Sequence, residues 1–143
     1  MKLKNKVAVV TGASKGIGKA IAVRFAQEGA SVVLASRTLS VLEEVVREIK
    51  AAGGEAAAIS VDVRKVESIN DLIKKTIERY GRLDLLVNNA GITMGGPSED
   101  IKPDDWRAAL ETDLFSVFYA SQAAARVMIP QGGGNIINIF SVK

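Results

Sequence analysis

The sequence contains neither cysteine nor histidine. Without cysteine there is no disulfide framework and no thiolate chemistry, and without histidine the commonest metal ligand and the commonest general base near neutral pH are missing. No metal site is expected, and acid–base work would fall to another residue type. Aromatic residues make up only 5% of the chain, so aliphatic packing must carry the core. No segment is apolar for long enough to span a bilayer. The basic opening Met1-Lys2-Leu3-Lys4-Asn5-Lys6 resembles the start of a signal peptide, but the apolar run behind it ends at a glycine turn after a handful of residues. These absences suggest a cytoplasmic protein with no membrane partner. Net charge is small too, +3 from 19 basic and 16 acidic residues, and the lysines and arginines are dispersed, so no nucleic-acid partner is expected.

What is present is aliphatic. The 143 residues fit one domain, residues 1–143, with 48% hydrophobic and 24% charged residues. A domain of this size buries roughly 70% of the surface of its unfolded chain around one core. The β-branched run from Lys6 to Thr11 predicts a strand buried on both faces, and from Ile17 onward Ile21, Ala22, Phe25 and Ala26 recur at helical spacing until Gly29. A second strand from Ser31 to Ser36 precedes a helix whose Leu39, Leu42, Val46 and Ile49 form one stripe, ended by Gly53-Gly54. A third strand, Ala56 to Val61, leads to a helix with Ile69, Leu72, Ile73, Thr76 and Ile77 facing inward before Gly81. Leu83 to Asn88 is the fourth strand, and Gly91 to Pro103 is a long loop. One long helical pattern from about Asp104 to Met128 follows, then Gly132-Gly133-Gly134 and a fifth strand from Ile136 to Phe140. Strict alternation of strand and helix predicts a doubly wound parallel sheet between two helical layers. Periodicity leaves the strand orders 3-2-1-4-5 and 2-1-3-4-5 both open, and either places ligands at the C-terminal ends of the strands.

The first of those ends carries Thr11-Gly12-Ala13-Ser14-Lys15-Gly16-Ile17-Gly18. Glycines at 12, 16 and 18 remove the Cβ atoms that would hold a ligand off the backbone, and the amides opening the next helix present the positive end of its dipole. Such a turn suits the pyrophosphate of a dinucleotide; a plain glycine-rich connection is the alternative. Asp62-Val63 follows the third strand, Asn88-Asn89-Ala90-Gly91 the fourth and Ser141 the fifth.

Together these motifs resemble the short-chain dehydrogenase/reductase family, over the whole chain, with a tone similar to its 3-oxoacyl-carrier-protein reductase and polyol dehydrogenase branches. The resemblance implies a five-stranded Rossmann sheet of order 3-2-1-4-5. It implies that Gly12, Ser14, Gly16, Ile17 and Gly18 cradle the pyrophosphate and nearby ribose, that Asp62 and Val63 meet the adenine, and that Asn88, Ala90 and Gly91 line the cofactor and brace the central strands. The second strand ends in Ser36-Arg37, with no acid for a ribose 2′-hydroxyl. Arg37 offers a forked donor to a 2′-phosphate and Lys15 a second positive charge, so NADP is expected over NAD.

The family transfers a hydride between nicotinamide and a carbonyl or alcohol carbon, using a serine, a tyrosine, a lysine and an asparagine. Ser141 matches the serine, and the asparagine position falls on Asp113, where an acid would alter the proton relay. Phe140 stands where the family often has a small polar residue. The Tyr-x-x-x-Lys pair would lie beyond residue 143. Four residues after Tyr80 is Asp84 and four after Tyr119 is Ala123, and Lys143, the last residue, is not counted as the catalytic lysine. The expectation is therefore an NADP-dependent oxidoreductase acting on a 3-oxoacyl thioester or polyol-like small molecule, incomplete for turnover as written. A non-catalytic dinucleotide-binding module or a structural fragment is the alternative. An apolar face of the 104–128 helix and the edge of the fifth strand are expected to be exposed, which favours homo-oligomerisation.

Overall fold

Alternate residues of the strands feed two separate cores, which is the period-2 signature of a sheet covered on both faces. The computed structural model describes residues 1–141; Val142 and Lys143 lie outside the described residues. The elements run β1 (Val7–Thr11), α1 (Gly16–Gln27), β2 (Ser31–Ser36), α2 (Leu39–Ala51), β3 (Glu55–Ser60), α3 (Val66–Tyr80), β4 (Leu85–Asn88), α4 (Pro103–Leu110), α5 (Ser116–Met128) and β5 (Asn135–Asn138). All pairings are parallel, in the order β3-β2-β1-β4-β5. The choice between the two orders that periodicity leaves open is thereby made.

On one face Val9, Val33 and Leu86 pack against Ile69, Leu72 and Ile73 of α3 and against Ala120, Ala123 and Ala124 of α5. On the other, Val10, Val32, Leu34 and Val87 meet Ala22 and Ala26 of α1 and Leu42, Val45, Val46 and Ile49 of α2. The fully buried core is aliphatic, as the low aromatic content requires. Each buried Val, Leu or Ile contributes about 1.5–3 kcal/mol, enough in sum to offset the ordering of short strands.

The long helix departs from the sequence expectation. It is α4, a π-turn at Glu111–Phe115, and α5, rather than one continuous α-helix from 104 to 128. Thr112 is buried within this turn and its carbonyl accepts the Ser116 hydroxyl, while the Asp113 carboxylate is drawn away by the Ile92 amide at 2.8 Å. The Ser116 hydroxyl takes the Thr112 carbonyl while the Ser116 amide bonds the Glu111 carbonyl one residue further back, so the regular ladder gives way there. The loop before α4 contains a short 3-10 turn at Ser98–Asp100, β4 begins at Leu85 rather than Leu83, and β5 is shorter than Ile136 to Phe140. Trp106, Leu114, Phe115 and Phe118 are exposed along the long helix, and every residue of β5 is exposed.

At the end of the sheet opposite the glycine turn, the buried Asp84 holds three strands in register. Its carboxylate accepts the Val7 amide at 2.9 Å and both arms of the Arg82 guanidinium at 2.7 and 2.8 Å, with Lys6 at 3.6 Å. Its backbone bonds Val7 and Asn135, at 2.8 Å each. Burial alone would raise the Asp84 carboxyl, but Arg82, the Val7 amide and Lys6 together outweigh it and hold the group below the ordinary carboxylate range. A carboxyl whose folded pKa lies below its unfolded value of about 3.9 stabilises the fold fully above that value and loses its contribution as pH falls through the folded one. Asp84→Asn is expected to lower stability by about 2 kcal/mol at neutral pH and to flatten the acid limb, as measured by urea melts from pH 7 downward.

Candidate functional site

The C-terminal ends of β1, β2, β3 and β4 open into a cleft of about 760 Å³. Its floor is the turn between β1 and α1. Lys15 occupies the N-cap position of α1 in extended backbone, its side chain makes no capping bond, and the first turn carries no acid. The amides that open this helix therefore keep their donors and the positive end of the dipole for something outside the helix.

The three glycines of the turn do different things. Gly16 has φ +58°, and nothing stands within 4 Å of where its Cβ would be, so the space above it is open cleft. Gly12 has φ +62°, and a Cβ there would lie 2.9 Å from Ala90 Cα. At Gly18 a Cβ would collide with the Gly12 carbonyl oxygen and the Asn89 amide nitrogen. Gly18 thus serves close packing behind the turn, and Gly16 serves approach from in front of it. The loop after β4 closes this packing: the Thr11 hydroxyl accepts the amides of Asn89 and Ala90, each at 3.0 Å, and Asn89 donates to the carbonyls of Thr11 and Gly12 at 3.1 and 3.2 Å.

Of the residues singled out in the sequence, Gly12, Ser14, Lys15, Gly16, Ile17, Arg37, Asp62, Val63, Ala90 and Gly91 line the cleft. Neither Lys15 nor Arg37 makes an ion pair among the described residues, so the adjoining ends of β1 and β2 present uncompensated positive charge. Asp62 is fixed by its own loop: its carboxylate accepts the Arg64 amide at 3.0 Å and its amide donates to the Ser68 hydroxyl at 2.9 Å. Asn88 does not line the cleft. It is buried and donates to Ser121 at 3.2 Å and Asn138 at 2.9 Å, bracing β4 against α5 and β5. Asp113 and Ser141 are likewise outside the lining; Asp113 is exposed on the π-turn and Ser141 is exposed just past β5.

Sequence reasoning assigned no role to Ser36, Asn89 or Thr112, although all three line the cleft. The Ser36 hydroxyl is buried there without a hydrogen-bond partner. A buried hydroxyl left unpaired costs about 1–3 kcal/mol, and a polar ligand in the cleft would relieve it. Neither tyrosine is placed as a base. Tyr80 lies at the end of α3 and donates to Glu55 at 2.7 Å; burial and that bond push its phenol up to about 12. Tyr119 packs against the core with its ring edge-on to Phe118.

Comparison with known proteins bears directly on this arrangement. The family model for short chain dehydrogenase matches residues 6–143. The chain belongs to the short-chain dehydrogenase family. Among its curated relatives, the 3-oxoacyl-(acyl-carrier-protein) reductase of Synechocystis is 43% identical over 138 residues, which cover 96% of this chain and 56% of the relative. That of Thermotoga maritima is 38% identical, over 99% of this chain and 58% of the relative. Among solved structures, a metagenomic short-chain oxidoreductase in complex with NADP superposes with a TM-score of 0.95 at 42% identity, covering all of this chain and 65% of the other. The chain thus spans little more than half the length of the curated short-chain dehydrogenases it matches. Its sheet order and flanking helices are those of the family's Rossmann fold. Among the described residues no helix is long and apolar enough to cross a membrane, and no group of acidic side chains is arranged to hold a metal.

Proposed function

We propose that this chain binds NADP across the ends of β1 to β4, as the cofactor-binding part of an oxidoreductase that interconverts a carbonyl and an alcohol. The observation that carries the reading is the uncapped α1 N-terminus under Gly16, with open space where a side chain would stand. The residues present fit the cofactor. The turn from Gly12 to Gly18 receives the pyrophosphate through backbone amides, Asp62 and Val63 bound the adenine, and Ala90 and Gly91 flank the ribose and nicotinamide side. Arg37 and Lys15 neutralise a 2′-phosphate, and no acid at the end of β2 opposes it. When bound, NADP(H) supplies or accepts the hydride.

Ser141 is the candidate to polarise the substrate oxygen. Asp113 takes the place of the relay asparagine, but its carboxylate already accepts the Ile92 amide, so its first role is to hold the loop after β4. The similarity to 3-oxoacyl-(acyl-carrier-protein) reductases supports a 3-oxoacyl thioester as the substrate class, with a polyol-like alcohol as the alternative. The exposed apolar stripe through Trp106, Leu114 and Phe118 supports a homo-oligomer joined through residues 104–128, which light scattering would register.

A second reading is a dinucleotide-binding module without turnover of its own. It is favoured by the cleft lining among the described residues, which contains no tyrosine, Tyr80 being bonded to Glu55 away from it. Binding and turnover separate the two. NADP at a hundred times its dissociation constant is expected to stabilise the fold by about 2.7 kcal/mol, seen as a melting shift of several degrees. Oxidation of NADPH by a 3-oxoacyl thioester, alone or on addition of a peptide carrying a Tyr-x-x-x-Lys segment, supports the enzyme reading. Protection without turnover under both conditions supports the binding module, and no protection at millimolar NADP overturns both.

A further inference from the structure

The π-turn at Glu111–Phe115 fastens both loops that wall the cleft. On one side the Glu111 carboxylate accepts Arg64 Nε at 2.8 Å and Nη2 at 2.7 Å, and Arg64 belongs to the loop between β3 and α3 that carries Asp62 and Val63. On the other side Asp113 accepts the Ile92 amide of the loop after β4. Between them Thr112 is buried and faces the cleft. Glu111, Thr112 and Asp113 thus reach three different places: the loop after β3, the cleft and the loop after β4.

We infer that Glu111 is a positioning residue for the adenine side of the cleft, acting through Arg64 to hold the loop that presents Asp62. Three observations converge on it. Arg64 lines the cleft, yet its guanidinium is turned to Glu111 rather than left free as Arg37 and Lys15 are. The Arg64 amide is bonded to the Asp62 carboxylate, so the backbone and side chain of one residue fix both the acid and its anchor. Residues 64 and 111 are 47 positions apart, and the pair joins a loop to a helical turn that no strand pairing connects. The ion pair is partly exposed, so its effect on global stability is small and its main effect is on where the loop sits.

This inference rests on the dinucleotide reading above. Its test is a double-mutant cycle on cofactor binding, with NADP and its adenine half, 2′,5′-ADP, as separate probes. Glu111→Gln and Arg64→Gln are each expected to weaken both probes by about three- to fivefold, the range of one well-formed partly exposed ion pair. The double variant should be no worse than either single one, and the reversed pair, Glu111→Arg with Arg64→Glu, should recover most of the loss. Melting of the unliganded variants should stay within a few degrees of wild type, which separates positioning from unfolding. If Arg64→Gln weakens binding while Glu111→Gln leaves it unchanged, Arg64 touches the ligand itself and the inference is wrong. Unchanged binding in both variants also overturns it while leaving the dinucleotide reading intact; a wild-type chain that binds neither probe overturns that reading and this one together.

Discussion

Gly18→Ala is expected to destabilise the fold by about 3 kcal/mol, lower the melting temperature by roughly 10 °C and remove dinucleotide binding with it. The added methyl has nowhere to go: one neighbour is the Gly12 carbonyl and the other is the Asn89 amide that ties the loop after β4 to the glycine turn. Backbone cannot step aside as a flexible side chain can, so β1, α1 and the β4 loop must separate. Gly16→Ala provides the contrast. Its Cβ meets nothing in the protein, and the strain of holding φ near +58° costs about 1–2 kcal/mol. Its methyl projects into the cleft, so that variant should fold and still bind NADP poorly. Urea melts and a binding titration on the same two proteins separate the roles. Equal stability loss at both positions would contradict the assignment of Gly18 to packing and Gly16 to ligand approach.

Arg37→Asp is expected to weaken NADP binding by about a hundredfold while changing NAD binding by less than about threefold. Bonds to a charged partner are worth about 1.5–3 kcal/mol each, and about 2.8 kcal/mol corresponds to a hundredfold. The aspartate both removes the forked donor and sets a carboxylate against the 2′-phosphate. It also supplies a carboxylate that accepts a hydrogen bond from a ribose 2′-hydroxyl, so NAD does not suffer in parallel. Loss of the two cofactors to the same extent would make Arg37 a solvated surface cation.

The parts of the fold that depend on repeating patterns were legible in the sequence. The unbroken apolar runs Val7 to Thr11 and Ser31 to Ser36, the stripe Leu42, Val46 and Ile49, and the glycines at 12, 16 and 18 each report a local rule, and the fold obeys them. The position of Arg37 was readable for the same reason, since it is the residue past a strand end. The π-turn was not. Trp106, Leu110, Leu114 and Phe118 recur in steps of four, which a continuous helix also satisfies, and the extra residue shows only in the shift of the Ser116 amide to the Glu111 carbonyl. Asp84 was hidden in an apolar run because its meaning lies in the convergence of Lys6, Arg82 and the Val7 amide, a product of parallel pairing between β1 and β4. The same holds for the pairing of Arg64 with Glu111, and for the unpartnered hydroxyl of Ser36. Asn89 stands inside the Asn88-Asn89-Ala90-Gly91 motif, but its bonds to Thr11 and Gly12 exist only once β1 and β4 lie side by side.

Calorimetric titration of the folded chain with NADP, in its oxidised and reduced forms, tests the central claim most directly. The expected result is a saturable one-to-one heat that 2′,5′-ADP competes away and that Gly16→Ala diminishes. A well-folded protein giving no heat with either form would contradict it.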